Sequence, residues 1–247
     1  RLQRTSCAKK ITETVVNRLK KLNPDAMVTE AYIFHDFVGG NEKNKGICRW
    51  ILDYCDVIGL NYARTQIDYL RELYPEKTFI LAEDSTLNST RSVVQTDKDK
   101  CQLFLQYDGA VATIAKMCSE INHLSGCFYW TGFDYLGEPT PFKYPAISSQ
   151  FGILDLCGFK KDATYFYEAM WKPEENVYHL GPHWNPVKDD KGLREVVLFG
   201  NCDSAELLLN GVSLGEKTRG DFSYIRFTDI KYEAGPWRTG STPAGSG

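Results

Sequence analysis

The sequence predicts an α/β protein: half of an eight-stranded α/β barrel, followed by part of an immunoglobulin-like β-sandwich. Three observations carry that expectation. Helical and strand patterns alternate four times before Pro173, and right-handed crossovers turn such alternation into a parallel sheet. The strand ends carry carboxylates, Tyr, Asn and Trp rather than a glycine-rich turn, which suits the mouth of a barrel better than a dinucleotide-binding sheet. Past Pro173 the pattern changes to short strands with an Asn210-Gly211 turn between two of them, a strong hairpin signal.

Taken in order, the first predicted element is a helix over Thr5–Leu22, with Cys7, Ile11, Val15, Leu19 and Leu22 at helical spacing between lysines and arginines. Asn23-Pro24-Asp25 stops it. Met27–Phe34 (MVTEAYIF) reads as a strand ending at His35-Asp36, before a Gly39-Gly40 loop. A helix near Lys45–Tyr54 leads to the buried-strand run Asp56–Leu60, which ends in Asn61-Tyr62. Ala63–Leu73 is helical, with Ile67, Leu70 and Leu73 on one face, until Pro75 breaks it. Thr78–Ala82 is the next strand and runs into Glu83-Asp84-Ser85. A polar loop is expected to give way to a long helix near Asp97–Asn122 carrying Leu103, Leu105, Val111, Ile114 and Met117. Gly126–Trp130 is the fourth strand, and Thr164–Trp171 a short helix after a proline-containing loop.

These elements predict a partial barrel domain over 1–173, since a complete barrel takes about 250 residues. A partial sandwich follows over 174–239, with strands at Glu195–Gly200, Ala205–Leu209, Val212–Lys217 and Ser223–Phe227. This is short of the ~100 residues of a whole immunoglobulin-like domain. The last eight residues, 240–247 (GSTPAGSG), read as a flexible tail. The chain opens without Met, in the middle of a helical pattern, and a fragment of a longer protein is expected.

A net charge of −3 with interspersed signs offers neither nucleic acid nor an anionic membrane an electrostatic footing. No run approaches the ~18 apolar residues of a membrane helix. The eight cysteines, at 7, 48, 55, 101, 118, 127, 157 and 202, include no Cys-x-x-Cys and no Cys/His ligand set. A mostly reduced set is expected, several of them on apolar faces, and no metal ligand is assigned.

Chemistry is expected at Glu83, an acid at the point where an apolar strand runs out. The bland alternative is a cap, with Asp84 or Ser85 satisfying backbone N–H groups after the strand. Tyr62 and Trp130 also stand at strand ends, with core packing or a loop hydrogen bond as the competing reading.

Five separated stretches in order resemble glycoside hydrolase family 2, particularly β-galactosidases of the Bacteroides-like type. They are Asp56–Arg64 (DVIGLNYAR), Glu83 with Ser89-Thr90-Arg91, Phe128–Pro141 (FYWTGFDYLGEPTP), Phe151–Phe159 (FGILDLCGF) and Asn201–Gly215 (NCDSAELLLNGVSLG). The resemblance spans residues 25 to 235 and implies a (β/α)8 barrel flanked by sandwich domains, the four strands here being numbers five to eight. It implies retaining hydrolysis of β-galactosides or related β-glycosides. Glu83 matches the nucleophile after strand seven, Tyr62 the tyrosine beside it, and Trp130 an aromatic lining the sugar pocket. Asp134 and Glu138 fall in the following loop, where they would shape that pocket, and Asn61 and His35 stand at strand ends within reach of substrate. Such chemistry needs two carboxyl groups about 5–5.5 Å apart, and a donor to the nucleophile keeps it ionised.

One part of the pattern is missing. The family's general acid/base sits in an Asn-Glu pair after strand four, upstream of these residues. Asn41-Glu42 lies in a charged loop, and Glu30 lies inside a strand. This chain alone is therefore expected to be a poor catalyst, since general acid catalysis is worth ~10²–10⁴-fold. The resemblance allows Mg²⁺ or Na⁺ in the intact enzyme, with ligands on other segments, and a homo-oligomer; it leaves a periplasmic or cytoplasmic bacterial location open. His179 and His183 are placed in the linker to the sandwich. Two rival readings stand beside this one: a non-catalytic carbohydrate-binding or structural module, and a family 2 β-glucuronidase or β-mannosidase.

Overall fold

Four parallel strands in sequential order carry the first of two units in this computed structural model, which describes residues 6–33, 50–85, 89–104, 110–186 and 192–242. That unit comprises Arg1–Ser85 and Ile114–Tyr129; the second comprises Thr86–Thr113 and Trp130–Gly247.

In the first unit, β1 (Thr29–Ile33), β2 (Val57–Asn61), β3 (Thr78–Asp84) and β4 (Leu124–Tyr129) hydrogen-bond in that order. Ile58, Leu60, Phe79 and Leu81, alternate residues on one face of β2 and β3, are fully buried in the core shared with the helices. Gly59 is needed for this packing, because a Cβ there would lie 2.7 Å from the Glu30 carbonyl oxygen and 3.3 Å from Ala82 Cβ. Among the described residues, helices α1 (Ser6–Leu22), α2 (Ile67–Leu73) and α3 (Ala110–Glu120) accompany these strands. Helix α2 buries Ile67 and Leu70, and α3 buries Ile114, in one core with the strands. Asp56 ties α1 to the sheet by accepting from Lys20 Nζ at 2.8 Å and from the Val28 amide at 2.7 Å. The spacing expected for α1 holds, yet Ile11, Val15 and Leu22 are more than half exposed.

The helix expected over Asp97–Asn122 begins only at Ala110 among the described residues. Upstream, Asp97 and Gln102 exchange backbone hydrogen bonds of 2.9 and 2.8 Å. Asp97 Oδ1 also accepts from the amides of Asp99 and Lys100, so its side chain offers the backbone a turn instead of a helix. Cys101 takes a left-handed φ of 55° there. Leu105, assigned to the same helix, lies outside the described residues.

In the second unit, residues 130–161 form a hydrogen-bonded loop followed by α4 (Asp162–Trp171). Two antiparallel sheets follow. One is ordered β5 (Tyr178–Gly181), β6 (Leu193–Gly200), β9 (Ile225–Lys231); the other is β10 (Trp237–Thr242), β7 (Ser204–Leu209), β8 (Val212–Thr218). Alternating residues of both, among them Val196, Leu198, Leu207, Ile225 and Phe227, make a single apolar core. Helix α4 packs on β5 and β6, and residues 130–173 cluster with these sheets.

The predicted hairpin turn is present: Asn210 and Gly211 have φ of 52° and 81°, and Leu209 pairs with Val212. Two details differ from the sequence expectation. His179 is not in a linker but in β5, paired with Phe199. Gly240–Thr242, assigned to the flexible tail, finish β10, with Gly240 opposite Glu206 and Thr242 opposite Ser204. Composition alone reads as a linker there, but the open edge of β7 provides backbone partners. Residues 243–247 lie outside the described residues.

Candidate active site

Glu83 is aimed by an irregularity in the sheet. Leu60 pairs with Leu81, but Asn61 pairs with Glu83, so β3 carries one extra residue, Ala82, against β2. Such bulges re-aim a side chain and recur beside active sites. The offset sets Asn61 opposite Glu83, and Asn61 Nδ2 donates to Glu83 Oε2 at 3.2 Å. The Tyr62 amide donates to the Glu83 carbonyl oxygen at 2.9 Å, extending the contact one residue past β2. Tyr62 itself adopts a left-handed φ of 52°, a conformation that a bulky residue holds only when its surroundings fix it.

Asp84, offered by the sequence only as a cap, does more. Its side chain is almost wholly buried, and Oδ1 accepts from Arg64 Nη1 at 2.8 Å and from the Ser85 amide at 2.7 Å. The cap-like bond to Ser85 is therefore present, beside an ion pair that spacing could not announce. Arg64 opens a short 3-10 turn (Arg64–Gln66) directly after Ala63, which is itself buried. Around this pair the burial of neutral groups is heavy. Burial pushes the Cys127 thiol up to about 12, with Cys118 and Asp84 adding and Arg64 opposing. Burial likewise pushes the Tyr129 phenol far above its ordinary value, Cys127, Cys118 and Asp84 adding to it.

The remaining candidates lie in the second unit or beyond description. Trp130 follows the last residue of β4 in sequence; it is 38% exposed and meets Tyr135 edge-on, centroids 6.1 Å apart. Tyr135 in turn donates to Glu138 Oε2, so Trp130 and Glu138 share one aromatic neighbour. Glu138 has φ 45°. Asp134 is buried against Lys161, whose Nζ donates to Asp134 Oδ1 at 2.7 Å, to the Ser89 carbonyl at 2.7 Å and to the Gln150 carbonyl at 3.1 Å. Asp134 Oδ1 also accepts from the Gly152 amide at 2.8 Å. Burial holds the Lys161 ammonium below its ordinary range, with Asp134 opposing. Asp134 thus shapes the loop from inside. Lys161 was missed by sequence reasoning because nothing separates it from its exposed neighbour Lys160 until the fold buries one of them. His35 lies outside the described residues.

No group of three or more His, Cys, Asp and Glu side chains converges to hold a metal among the described residues. The Mg²⁺ or Na⁺ that the resemblance allows finds no such ligand set among these residues. No helix among the described residues is long and apolar enough to cross a membrane.

Comparison with known proteins adds five findings. A family profile described as a domain of unknown function (DUF4982) matches residues 192–239, the stretch of β6 to β10. Over 91% of its length the chain is 32% identical to the β-galactosidase BoGH2A of Bacteroides ovatus, of which it covers 28%. Over 39% of its length it is 43% identical to a putative β-glucuronidase of Formosa agariphila, covering 10% of that protein. The fold superimposes on a β-glycosidase from Bacteroides vulgatus with a TM-score of 0.73 at 25% identity, covering 95% of this chain and 33% of that one. A glycosyl hydrolase family 2 member from Bacteroides cellulosilyticus gives a TM-score of 0.75 at 19% identity, over 99% of this chain and 32% of that one. The chain therefore spans a third or less of the length of these relatives.

Proposed function

We propose that this chain, which belongs to glycoside hydrolase family 2, supplies the nucleophile of a retaining β-galactosidase, with Glu83 attacking the anomeric carbon. The observation that carries this reading is Glu83 at a bulged strand end, its Oε2 held 3.2 Å from Asn61 Nδ2. Four parallel strands in sequential order support the further reading of β1 to β4 as strands five to eight of a (β/α)8 barrel. On that reading the ends of β2 and β3 lie at the catalytic face.

In the first step a Glu83 carboxylate oxygen bonds to C1 of the sugar as the bond from C1 to the aglycone oxygen breaks. The departing oxygen takes a proton from an acid that these residues do not supply, in line with the missing Asn-Glu pair. In the second step water attacks C1, the ester to Glu83 breaks, and that same partner group takes the water's proton. The Asn61 amide donates to Glu83 in its charged form, which favours ionisation. Tyr62 is assigned the hydroxyl beside the nucleophile. Trp130 is assigned a sugar-stacking face, and Glu138 and His35 are assigned polar contacts to substrate. Asp134 acts by shaping the loop that carries Trp130 and Glu138.

A galactoside fits better than a glucuronide because Arg64, the cation described at these strand ends, is paired with Asp84; a uronate carboxylate would need one of its own. The identity to Formosa β-glucuronidases keeps that sugar as the second reading. Turnover of nitrophenyl β-galactoside and nitrophenyl β-glucuronide by the full-length protein decides between them. Galactoside turnover at least tenfold above glucuronide is expected, abolished in Glu83→Gln. Preference for the glucuronide selects the second reading. Sugar binding with no turnover of either would select a non-catalytic module.

A further inference from the structure

We infer that Arg64 and Asp84 form a positioning pair that sets the direction of Glu83, an inference that rests on Glu83 being the nucleophile. Residues 83 and 84 are consecutive at the end of β3, and both are tied to the segment leaving β2. Glu83 is held through Asn61 Nδ2 at 3.2 Å and through the Tyr62 amide at 2.9 Å. Asp84 is held through Arg64 at 2.8 Å. The last residue of β2 with the three that follow it, and the last two residues of β3, thus close a small ring: Asn61, Tyr62, Ala63 and Arg64 on one side, Glu83 and Asp84 on the other.

Within the ring and at the residue that follows it the backbone is forced. Tyr62 has φ 52° and Ser85 has φ 62°, and neither residue is one that adopts this region at no cost. Something must hold both turns, and the ion pair spans them. Asp84 is 1% exposed while Arg64 is about one-third exposed. The pair therefore reaches from the packed strand end to the surface of the following turn. Successive strand residues point to opposite faces, so an Asp84 pinned on one face fixes the Cα–Cβ direction of Glu83 on the other. Asp84 Oδ1 serves the Ser85 amide as well, which stops β3 immediately after the nucleophile. Neither Arg64 nor Asp84 is required to touch substrate.

The test uses the full-length protein that carries this chain and a 2-deoxy-2-fluoro-β-galactoside bearing a good leaving group. Covalent capture is followed by intact mass, and its rate constant (kinact) is separated from reversible affinity (Ki). Capture of the unaltered protein on Glu83 establishes the nucleophile independently of the pair; absence of a Glu83 adduct ends the underlying reading, not the pair's geometry. Given capture, Arg64→Met and Asp84→Asn are expected to lower kinact about 10- to 100-fold, the scale of a small misplacement of a reacting group. Ki should change less than threefold. Arg64→Lys, which keeps the charge, should recover at least a third of the lost rate. Should the first two variants fail to fold, Arg64→Lys and Asp84→Glu carry the same comparison. Capture by folded variants at the rate of the unaltered protein, or equal losses in kinact and affinity together with lowered melting, would overturn the inference and leave a merely structural pair.

Discussion

Replacing Lys161 with Met should unfasten the loop that carries Trp130 and Glu138. The ammonium is 1% exposed on its side chain and donates to three oxygens: Asp134 Oδ1, the Ser89 carbonyl and the Gln150 carbonyl. Met fills similar volume but donates nothing. The Gln150 carbonyl still accepts from the Ser89 amide at 3.1 Å, and Asp134 still accepts from Gly152. The Asp134 charge, however, is left with 6% exposure and no counter-ion. Breaking a buried pair in this way costs about 3–5 kcal/mol. At roughly 2–4 °C per kcal/mol for a domain of this size, melting should fall by about 6–20 °C. The assay is thermal and urea unfolding followed by tryptophan fluorescence, with amide exchange at Gly152 as a local readout. Lys161→Met combined with Asp134→Leu should be more stable than Lys161→Met alone, because the orphaned charge is gone. A single variant within about 1 kcal/mol of the unaltered protein, or strict additivity in the double variant, would refute the reasoning.

Three further outcomes are expected. Gly152→Ala should cost about 3 kcal/mol or more, since its Cβ would lie 2.1 Å from the Asp134 amide nitrogen and 2.3 Å from the Leu154 carbonyl oxygen; unaltered melting would contradict the close packing. Cys127 ionises near 9.0 when unfolded and near 12 when folded. The unfolded chain therefore loses this proton first, and the stability this group contributes is present below pH 9 and lost as pH rises towards 12. Urea midpoints taken across pH 8 to 11 should fall less steeply in Cys127→Ala, and parallel curves would count against the burial. Asn61→Ala removes the 3.2 Å donor to Glu83 and should lower kcat/KM about tenfold, the scale of one hydrogen bond to a charged group; an unchanged pH–rate profile and rate would remove Asn61 from the site.

The strand ends were legible because the strands read as short runs rich in apolar residues, and Asn61, Glu83 and Trp130 stand where such runs stop. The Asn210-Gly211 hairpin was legible for a local reason, two consecutive residues that accept positive φ. What failed were features settled by contacts that hydrophobic periodicity does not register, some local and some far along the chain. Asp97 ended a helix that its apolar neighbours promised, by capturing the Asp99 and Lys100 amides. Gly240–Thr242 became a strand because β7 offered an edge. Within the candidate site, the Asn61–Glu83 contact depends on a one-residue bulge that the sequence does not mark. The Arg64–Asp84 and Lys161–Asp134 pairs join residues 20 and 27 positions apart, and no spacing rule connects them.

Glu83 as the nucleophile is tested most directly by trapping. The full-length protein, inactivated with a 2-deoxy-2-fluoro-β-galactoside and digested with a protease, should yield one peptide heavier by a single fluorosugar, with fragmentation placing the mass on Glu83. A fluorosugar on any other carboxylate, with Glu83 unmodified, would contradict the assignment and the chemistry built on it.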